Sequence, residues 1–279
     1  MPVFVFPGQG SQFPGMGKEL FDEFPDLVRE ADAVLGYSVR EVCTEAGGAR
    51  LAMTRYAQPA IYTVNALTYL RFQRKTALPP SYLLGHSLGE YCALFAAGAF
   101  DFASGLELVA RRGELMADAD GGAMAAVVGL TAERVEATAA DSPGGGIWVA
   151  NLNTPDQVVI SGCAEHIRSA RDHFLAAGAT RYVVLPVSGA FHSPLMAAAR
   201  TRFAEVLAAA PIRDLRIPVV ANLTAELHAA DLRASLAAQI CAPVRWADSI
   251  RLLLHRGETR FIETGARRVL TPMIEKIAA

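Results

Sequence analysis

The chain has 279 residues, 52% of them hydrophobic and 19% charged, with a formal net charge of −2. That balance suits one large core, or a core plus a smaller insertion, and excludes a disordered chain or a basic nucleic-acid surface. No apolar run approaches the roughly 18 residues of a membrane span, and Met1-Pro2-Val3-Phe4 lacks the basic start and apolar stretch of a signal peptide, so a cytoplasmic protein with no membrane partner is expected.

Val3-Phe4-Val5-Phe6 predicts a short buried strand that opens into Pro7-Gly8-Gln9-Gly10-Ser11-Gln12, a glycine-rich turn. A phosphate loop is excluded there, because neither a Lys-Ser/Thr pair nor G-x-G-x-x-G is present. Helices are predicted over 18–35, interrupted at Pro25, and over 59–75, with Pro59 in the first turn; Pro79-Pro80 then stops the chain. Tyr82-Leu83-Leu84 is a strand that runs into Gly85-His86-Ser87-Leu88-Gly89, and small helix-forming residues follow at once. G-x-S-x-G in a strand–turn–helix context marks a nucleophilic serine on a tight turn, with glycines where a side chain would clash. The free N–H groups at the helix start then face the charge that develops during acyl transfer. One oxyanion N–H comes from Leu88, the residue after the nucleophile; Gln9, between two glycines, suits the second.

Asp101 caps a predicted helix to about residue 116. Leu108, Val109, Leu115 and Met116 lie three or four residues from Arg112, which puts Arg112 inside the apolar stripe and Arg111 outside it. A buried guanidinium needs an anion, either a core carboxylate or a substrate carboxylate held by its planar fork. Residues 123–187 then give strand, helix, two strands, helix and strand in that order, a βαββαβ unit. Ser193-Pro194 is an N-cap and first-turn pair for a helix to about residue 210, which leaves His192 in the small-residue turn before it. Beyond it come a strand over 217–221, a helix to residue 240, a helix opened by Pro243-Val244-Arg245-Trp246, a strand over 260–263 and a last helix to about 277.

Of the six histidines, His166 and His173 sit among polar neighbours on a helix of the insertion, and His228 and His255 read as surface residues. His86 adjoins the serine, so its ring points away from Oγ, and His192 is the candidate general base. No acidic third member stands out, since Glu90 is too close to the nucleophile; a backbone carbonyl can orient a histidine equally well. The four cysteines, Cys43, Cys92, Cys163 and Cys241, lack C-x-x-C or metal spacing and read as buried free thiols, with no metal expected. The sequon Asn222-Leu223-Thr224 has no meaning without secretion.

Phe6-Pro7-Gly8-Gln9-Gly10-Ser11-Gln12, Gly85-His86-Ser87-Leu88-Gly89-Glu90, Arg112-Gly113, the run from Asn151 to Gly162, Gly189-Ala190-Phe191-His192-Ser193 and Pro243-Val244-Arg245-Trp246 together resemble the malonyl-CoA:acyl carrier protein transacylase family. The resemblance covers essentially the whole chain. It implies an α/β-hydrolase-like core, residues 1–121 and 190–279, with a ferredoxin-like insertion, residues 122–189, and a site between them. Carried over by position, Ser87 is the nucleophile, His192 the base and Gln9 and Leu88 the oxyanion donors. Arg112 would bind the malonyl carboxylate, the Gln239 carbonyl would orient His192, and His86, Asn151 and Asn153 would line the pocket. Phe191 before the base histidine goes with malonyl rather than methylmalonyl in the family. The resemblance implies malonyl-CoA as substrate, no bound cofactor, and an acidic acyl carrier protein bearing phosphopantetheine as partner. Segments 35–38, 100–106 and 112–116 look more like the discrete trans-acting acyltransferases of polyketide synthases than the transacylase of fatty-acid synthesis. A thioester hydrolase on the same scaffold has no use for a carboxylate clamp, and a non-catalytic scaffold has none for Ser87, His192 and Gln9.

Overall fold

The structure, a computed structural model, describes residues 1–44, 48–76, 78–119, 121–142, 144–228 and 231–279. Val3-Phe4-Val5-Phe6 forms β1 (Val3–Phe6), buried at every position and so covered on both faces, as strands of parallel sheets are. Helices α1 (Lys18–Glu23) and α2 (Pro25–Leu35) flank Phe24, and the short α3 (Val39–Cys43) and α4 (Gly48–Leu51) lead into the long α5 (Thr54–Thr76). Next come β2 (Tyr82–Gly85), α6 (Gly89–Ala97) and α7 (Phe102–Ala117), whose N-cap Asp101 accepts from the Ser104 N–H at 2.9 Å. A second set follows: β3 (Gly122–Val128), α8 (Ala132–Ala140), β4 (Ile147–Thr154), β5 (Gln157–Cys163), α9 (Ala164–Ser169), α10 (Arg171–Ala176) and β6 (Arg181–Val184). A 3-10 turn, Pro194–Met196, then opens α11 (Ala197–Ala209), and β7 (Val219–Val220), α12 (Leu232–Gln239), α13 (Trp246–His255), β8 (Phe261–Glu263) and α14 (Thr271–Ala278) complete the chain.

Two sheets organise these elements into an α/β core with a smaller sheet subdomain. The first is parallel, in the order β7-β2-β1-β8, and the second antiparallel, in the order β4-β5-β3-β6. The second has its own core, in which Val127, Val135, Ile160, Ile167 and Phe174 are fully buried. Its edge strand β4 is joined to the other unit by backbone bonds, Leu152 N–H to the Val244 carbonyl and Val244 N–H to the Ala150 carbonyl, each 2.9 Å. Among the described residues no helix is long and apolar enough to cross a membrane.

Several sequence expectations need correction. Helix α5 starts at Thr54, so Pro59 is interior rather than in the first turn. It lacks one N–H donor, a loss offset by near-continuous burial from Ala57 to Leu67. The helix expected after Cys163 breaks at Ala170 into α9 and α10. Strand β7 keeps two residues because Pro218 has no N–H to give the ladder, and β6 ends short of Pro186 for the same reason. Cys163 and Cys241 are half-buried, unlike Cys43 and Cys92. His228, expected at the surface, has a buried side chain against Glu90, and Asn222 of the sequon is buried as well.

Candidate active site

Ser87 leaves β2 with φ 52°, a left-handed turn that the surrounding glycines make possible. A Cβ on Gly85 would stand 1.9 Å from the Gly89 carbonyl carbon, and one on Gly89 would stand 2.0 Å from the Phe6 oxygen. Those contacts are with backbone, which cannot move aside. The turn is also held from β7: Asn222 Oδ1 accepts from Ser87 N–H at 2.6 Å, and its Nδ2 donates to the Gly85 carbonyl at 2.6 Å.

His192, with φ 59°, lies 2.7 Å from Ser87 Oγ through Nε2. Its Nδ1 faces the carbonyls of Gln239 and Ala242, at 2.9 and 3.1 Å. Carbonyls only accept, so the proton sits on Nδ1 and the Nε2 lone pair receives the serine hydroxyl. Burial first, and the nearby Arg112 guanidinium second, push the His192 pKa down to about 3. The ring is therefore a neutral base at pH 7.

Arg112 points inward from α7, 1% exposed, while Arg111 faces out and pairs with Glu114. Its Nη1 donates to Gln58 Oε1 at 2.8 Å, and its Nη2 donates to Gln239 Oε1 at 3.0 Å and Ser87 Oγ at 3.3 Å. The guanidinium also lies over the Tyr91 ring at 5.5 Å, and burial lowers its pKa. Among the described residues no carboxylate touches it, and Nε has no partner. A buried charge with no carboxylate in direct contact marks a site for an anion.

Ser87, Arg112 and His192 share a cleft of about 160 Å³ that Gln9, Leu88, His86, Asn151 and Phe191 also line. The backbone N–H groups of Gln9 and Leu88 donate to no protein acceptor among the described residues, as donors reserved for a substrate oxygen would. The Gln9 side chain donates to Thr54 Oγ1 at 3.2 Å, and Asn65 Nδ2 to the Pro7 carbonyl at 2.8 Å, which ties down the loop after β1. Asn153 corrects an expectation: it lies behind the cleft wall, its Oδ1 2.9 Å from His86 Nε2, and fixes the ring that forms the wall. Burial lowers the His86 pKa against that bond.

The acyl transferase domain family matches residues 3–277. The chain belongs to the acyl transferase family. This acyl transferase is 47% identical over 279 residues to the polyketide biosynthesis malonyl CoA-acyl carrier protein transacylase BaeC of Bacillus velezensis, covering 99% of this chain and 96% of BaeC. It is 50% identical over 278 residues to the polyketide biosynthesis protein ThaF of Burkholderia thailandensis, covering 99% of this chain but only 24% of ThaF's length. Its fold matches the crystal structure of a malonyl CoA-acyl carrier protein transacylase from Burkholderia pseudomallei with a TM-score of 0.95 at 46% identity, over 100% of this chain and 98% of that one.

Four polar residues of this acyl transferase's site escape a reading of the sequence. Gln58, Glu90, Asn222 and His228 are drawn together from α5, α6 and the loop after β7. Asn222 had a usable signal: Leu84 pairs with Val220, so the second residue past β7 must lie beside the turn that follows β2. Gln58 and His228 had none, because their partners are 54 and 138 residues away in the chain.

Proposed function

We propose that this protein moves a malonyl group from coenzyme A, through an ester on Ser87, to the phosphopantetheine thiol of a separate acidic acyl carrier protein, and so loads a modular polyketide synthase in trans. The observation that carries the reading is Arg112, a buried guanidinium that no carboxylate touches among the described residues, 3.3 Å from the nucleophile. One methylene separates the two carbonyl carbons of malonyl, so an anion clamp for it must stand next to the serine. A longer diacid would overshoot.

In the first half-reaction Ser87 Oγ attacks the thioester carbonyl and passes its proton to His192 Nε2. The developing oxyanion turns to the N–H groups of Gln9 and Leu88. Collapse breaks the carbon–sulfur bond, and the leaving thiolate takes the proton from His192. In the second half-reaction the carrier thiol gives its proton to the same nitrogen and attacks the ester carbon, and as the ester bond breaks Ser87 Oγ takes that proton back from His192. The carbonyls of Gln239 and Ala242 stabilise the imidazolium formed in each half, in place of an acidic third member. Arg112 holds the malonyl carboxylate throughout, and Phe191 fills space on the cleft wall that an α-methyl group would need.

Intact-mass analysis after mixing with malonyl-CoA tests the first half: one malonyl adduct is expected, absent in Ser87→Ala. Adding holo carrier proteins tests the second, with transfer expected to those of a modular polyketide synthase ahead of a fatty-acid carrier. Labelling that persists in Ser87→Ala would refute the mechanism, and hydrolysis without transfer to any carrier would refute the transacylase reading.

A further inference from the structure

Among the described residues Arg112 has no carboxylate in contact with it, yet one lies a single side chain away. Arg112 Nη2 donates to Gln239 Oε1 at 3.0 Å, Gln239 Nε2 donates to Glu90 Oε2, and Glu90 Oε1 accepts from His228 Nε2 at 2.6 Å. All four side chains are shut away from solvent. Three donors converge on the two oxygens of Glu90, from Gln239, from His228 and from the Asn222 N–H at 3.4 Å. Both oxygens of the Glu90 side chain are thus engaged inside the protein, with none left to water.

A guanidinium can only donate and a carboxylate can only accept, so the two ends dictate how the amide between them lies. The Gln239 oxygen must face Arg112 and its nitrogen must face Glu90. The same nitrogen also donates to the Ser87 carbonyl at 3.1 Å, and the backbone carbonyl of Gln239 receives His192 Nδ1 at 2.9 Å. One residue therefore touches the clamp, the nucleophile's backbone and the base. Glu90 and the Ser87 carbonyl together decide which way round it is held.

We propose that Glu90 is a positioning residue for the choice of acyl group. Its carboxylate, with the Ser87 carbonyl, anchors the Gln239 amide whose oxygen holds Arg112 at the cleft, and it supplies the buried counter-charge at one remove. A carboxylate in direct contact would occupy the clamp and compete with the substrate. Placed behind an amide, it balances the charge and keeps the clamp itself clear of any carboxylate but the substrate's.

The inference rests on the malonyl-transfer reading, and its test separates the two. kcat/KM is measured for malonyl-CoA and acetyl-CoA with wild type, Glu90→Gln, Arg112→Ala and the double variant. Glutamine at 90 replaces the carboxylate that receives the Gln239 N–H with a neutral amide, so Gln239 loses its charged anchor and Arg112 its buried counter-charge at one remove. The malonyl-to-acetyl ratio should fall about 10- to 100-fold in Glu90→Gln, the worth of one hydrogen bond to a charged group. Adding Glu90→Gln to Arg112→Ala should lower it no further, because the chain of bonds acts through Arg112. A ratio within about twofold of wild type, even if both rates drop, overturns the proposal, as does full additivity in the double variant. If Glu90→Gln does not fold, the exchange Glu90→Gln with Gln239→Glu keeps the buried charge but puts the carboxylate on Arg112; the ratio must collapse there too, and its retention overturns the proposal. A wild type with no preference for malonyl removes the proposed function, and this inference with it.

Discussion

Ser87 and His192 meet at 2.7 Å from two left-handed turns, φ 52° and 59°, on segments 105 residues apart. A non-glycine residue in that region costs about 1–3 kcal/mol and persists only where its surroundings over-determine it. Here they do. Asn222 bonds both sides of the serine turn, and the His192 N–H donates to the Ile240 carbonyl at 3.1 Å while its ring bonds two further carbonyls of the same segment. The strain places each reacting atom at the tip of its turn, facing the cleft.

Removing the base should show in the chemical step. His192→Ala is expected to slow acylation of Ser87 by about two to four orders of magnitude, the range for losing a positioned general base. Rapid-quench measurement of the malonyl-enzyme formed in one turnover reads this directly. A variant close to wild-type rate would mean that another group takes the proton.

The acid limb of activity should lie far below the ordinary histidine range. Its neutral form is the base, and its pKa is held at about 3 against a usual 6.5. kcat/KM for acyl transfer should therefore stay level as pH falls from 8 to about 5, where an ordinary histidine would already have lost most of its base form. Stability should behave differently. Between those two values the unfolded chain binds the proton and the native one does not, so the His192 contribution favours unfolding progressively as pH falls from about 6.5 toward 3. Urea midpoints across that window for wild type and His192→Ala isolate the effect; the variant should lose less stability on acidification.

Arg112→Ala should act in opposite directions on two substrates. It removes the partner of the malonyl charge, at a cost of about 2–4 kcal/mol in transition-state stabilisation, and also the unpaired cation that penalises acetyl. Malonyl transfer should collapse while acetyl transfer or hydrolysis holds or rises. Arg112→Lys should recover only part, because an ammonium cannot make two parallel bonds. An equal fall for both thioesters would make Arg112 a structural element only.

Phe191 lines the same cleft just before the base. Phe191→Ser should raise kcat/KM for methylmalonyl-CoA relative to malonyl-CoA by about 10-fold or more, the usual worth of one methyl group in a shaped pocket. Competition between the two thioesters, read by mass on the acylated protein, gives the ratio. An unchanged ratio would place the selectivity elsewhere on the wall.

Gly89 is a test of the turn itself. Gly89→Ala should destabilise by about 3 kcal/mol or more, because the new Cβ meets the Phe6 carbonyl oxygen, and Ser87 would lose its position along with the fold. Urea unfolding and the yield of acyl-enzyme report the two effects. Full stability in this variant would show that β1 can move away from α6.

Much of the site is local and so was legible. The serine turn is written in eight consecutive residues, and the inward face of Arg112 follows from four apolar neighbours at helical spacing. What could not be read is what distant segments bring together. Glu90 looked unusable beside the nucleophile and His228 looked superficial, because their partners lie far along the chain, 138 residues for this pair and 149 from Glu90 to Gln239. Likewise Pro59 argued for a helix start that tertiary burial overrode, while Pro218 and Pro186 shortened strands whose apolar pattern ran on. Local rules set the elements, and packing decided their ends.

The backbone join between β4 and Val244 bears on modularity. Val244 follows by two residues the Ala242 carbonyl that holds the His192 ring, and by five the carbonyl of Gln239. The small sheet is thus a brace for the base as well as one wall of the cleft. Deleting the small sheet, from β3 to β6, or replacing it with a shorter linker, would leave Val244 without its two backbone partners and the segment from Gln239 to Ala242 without a support. The larger unit could not be trimmed to a minimal serine hydrolase and keep its histidine in place. Swapping the insertion between relatives to change substrate range would need the edge of β4 and residues 239–244 to travel together, as one transplanted part.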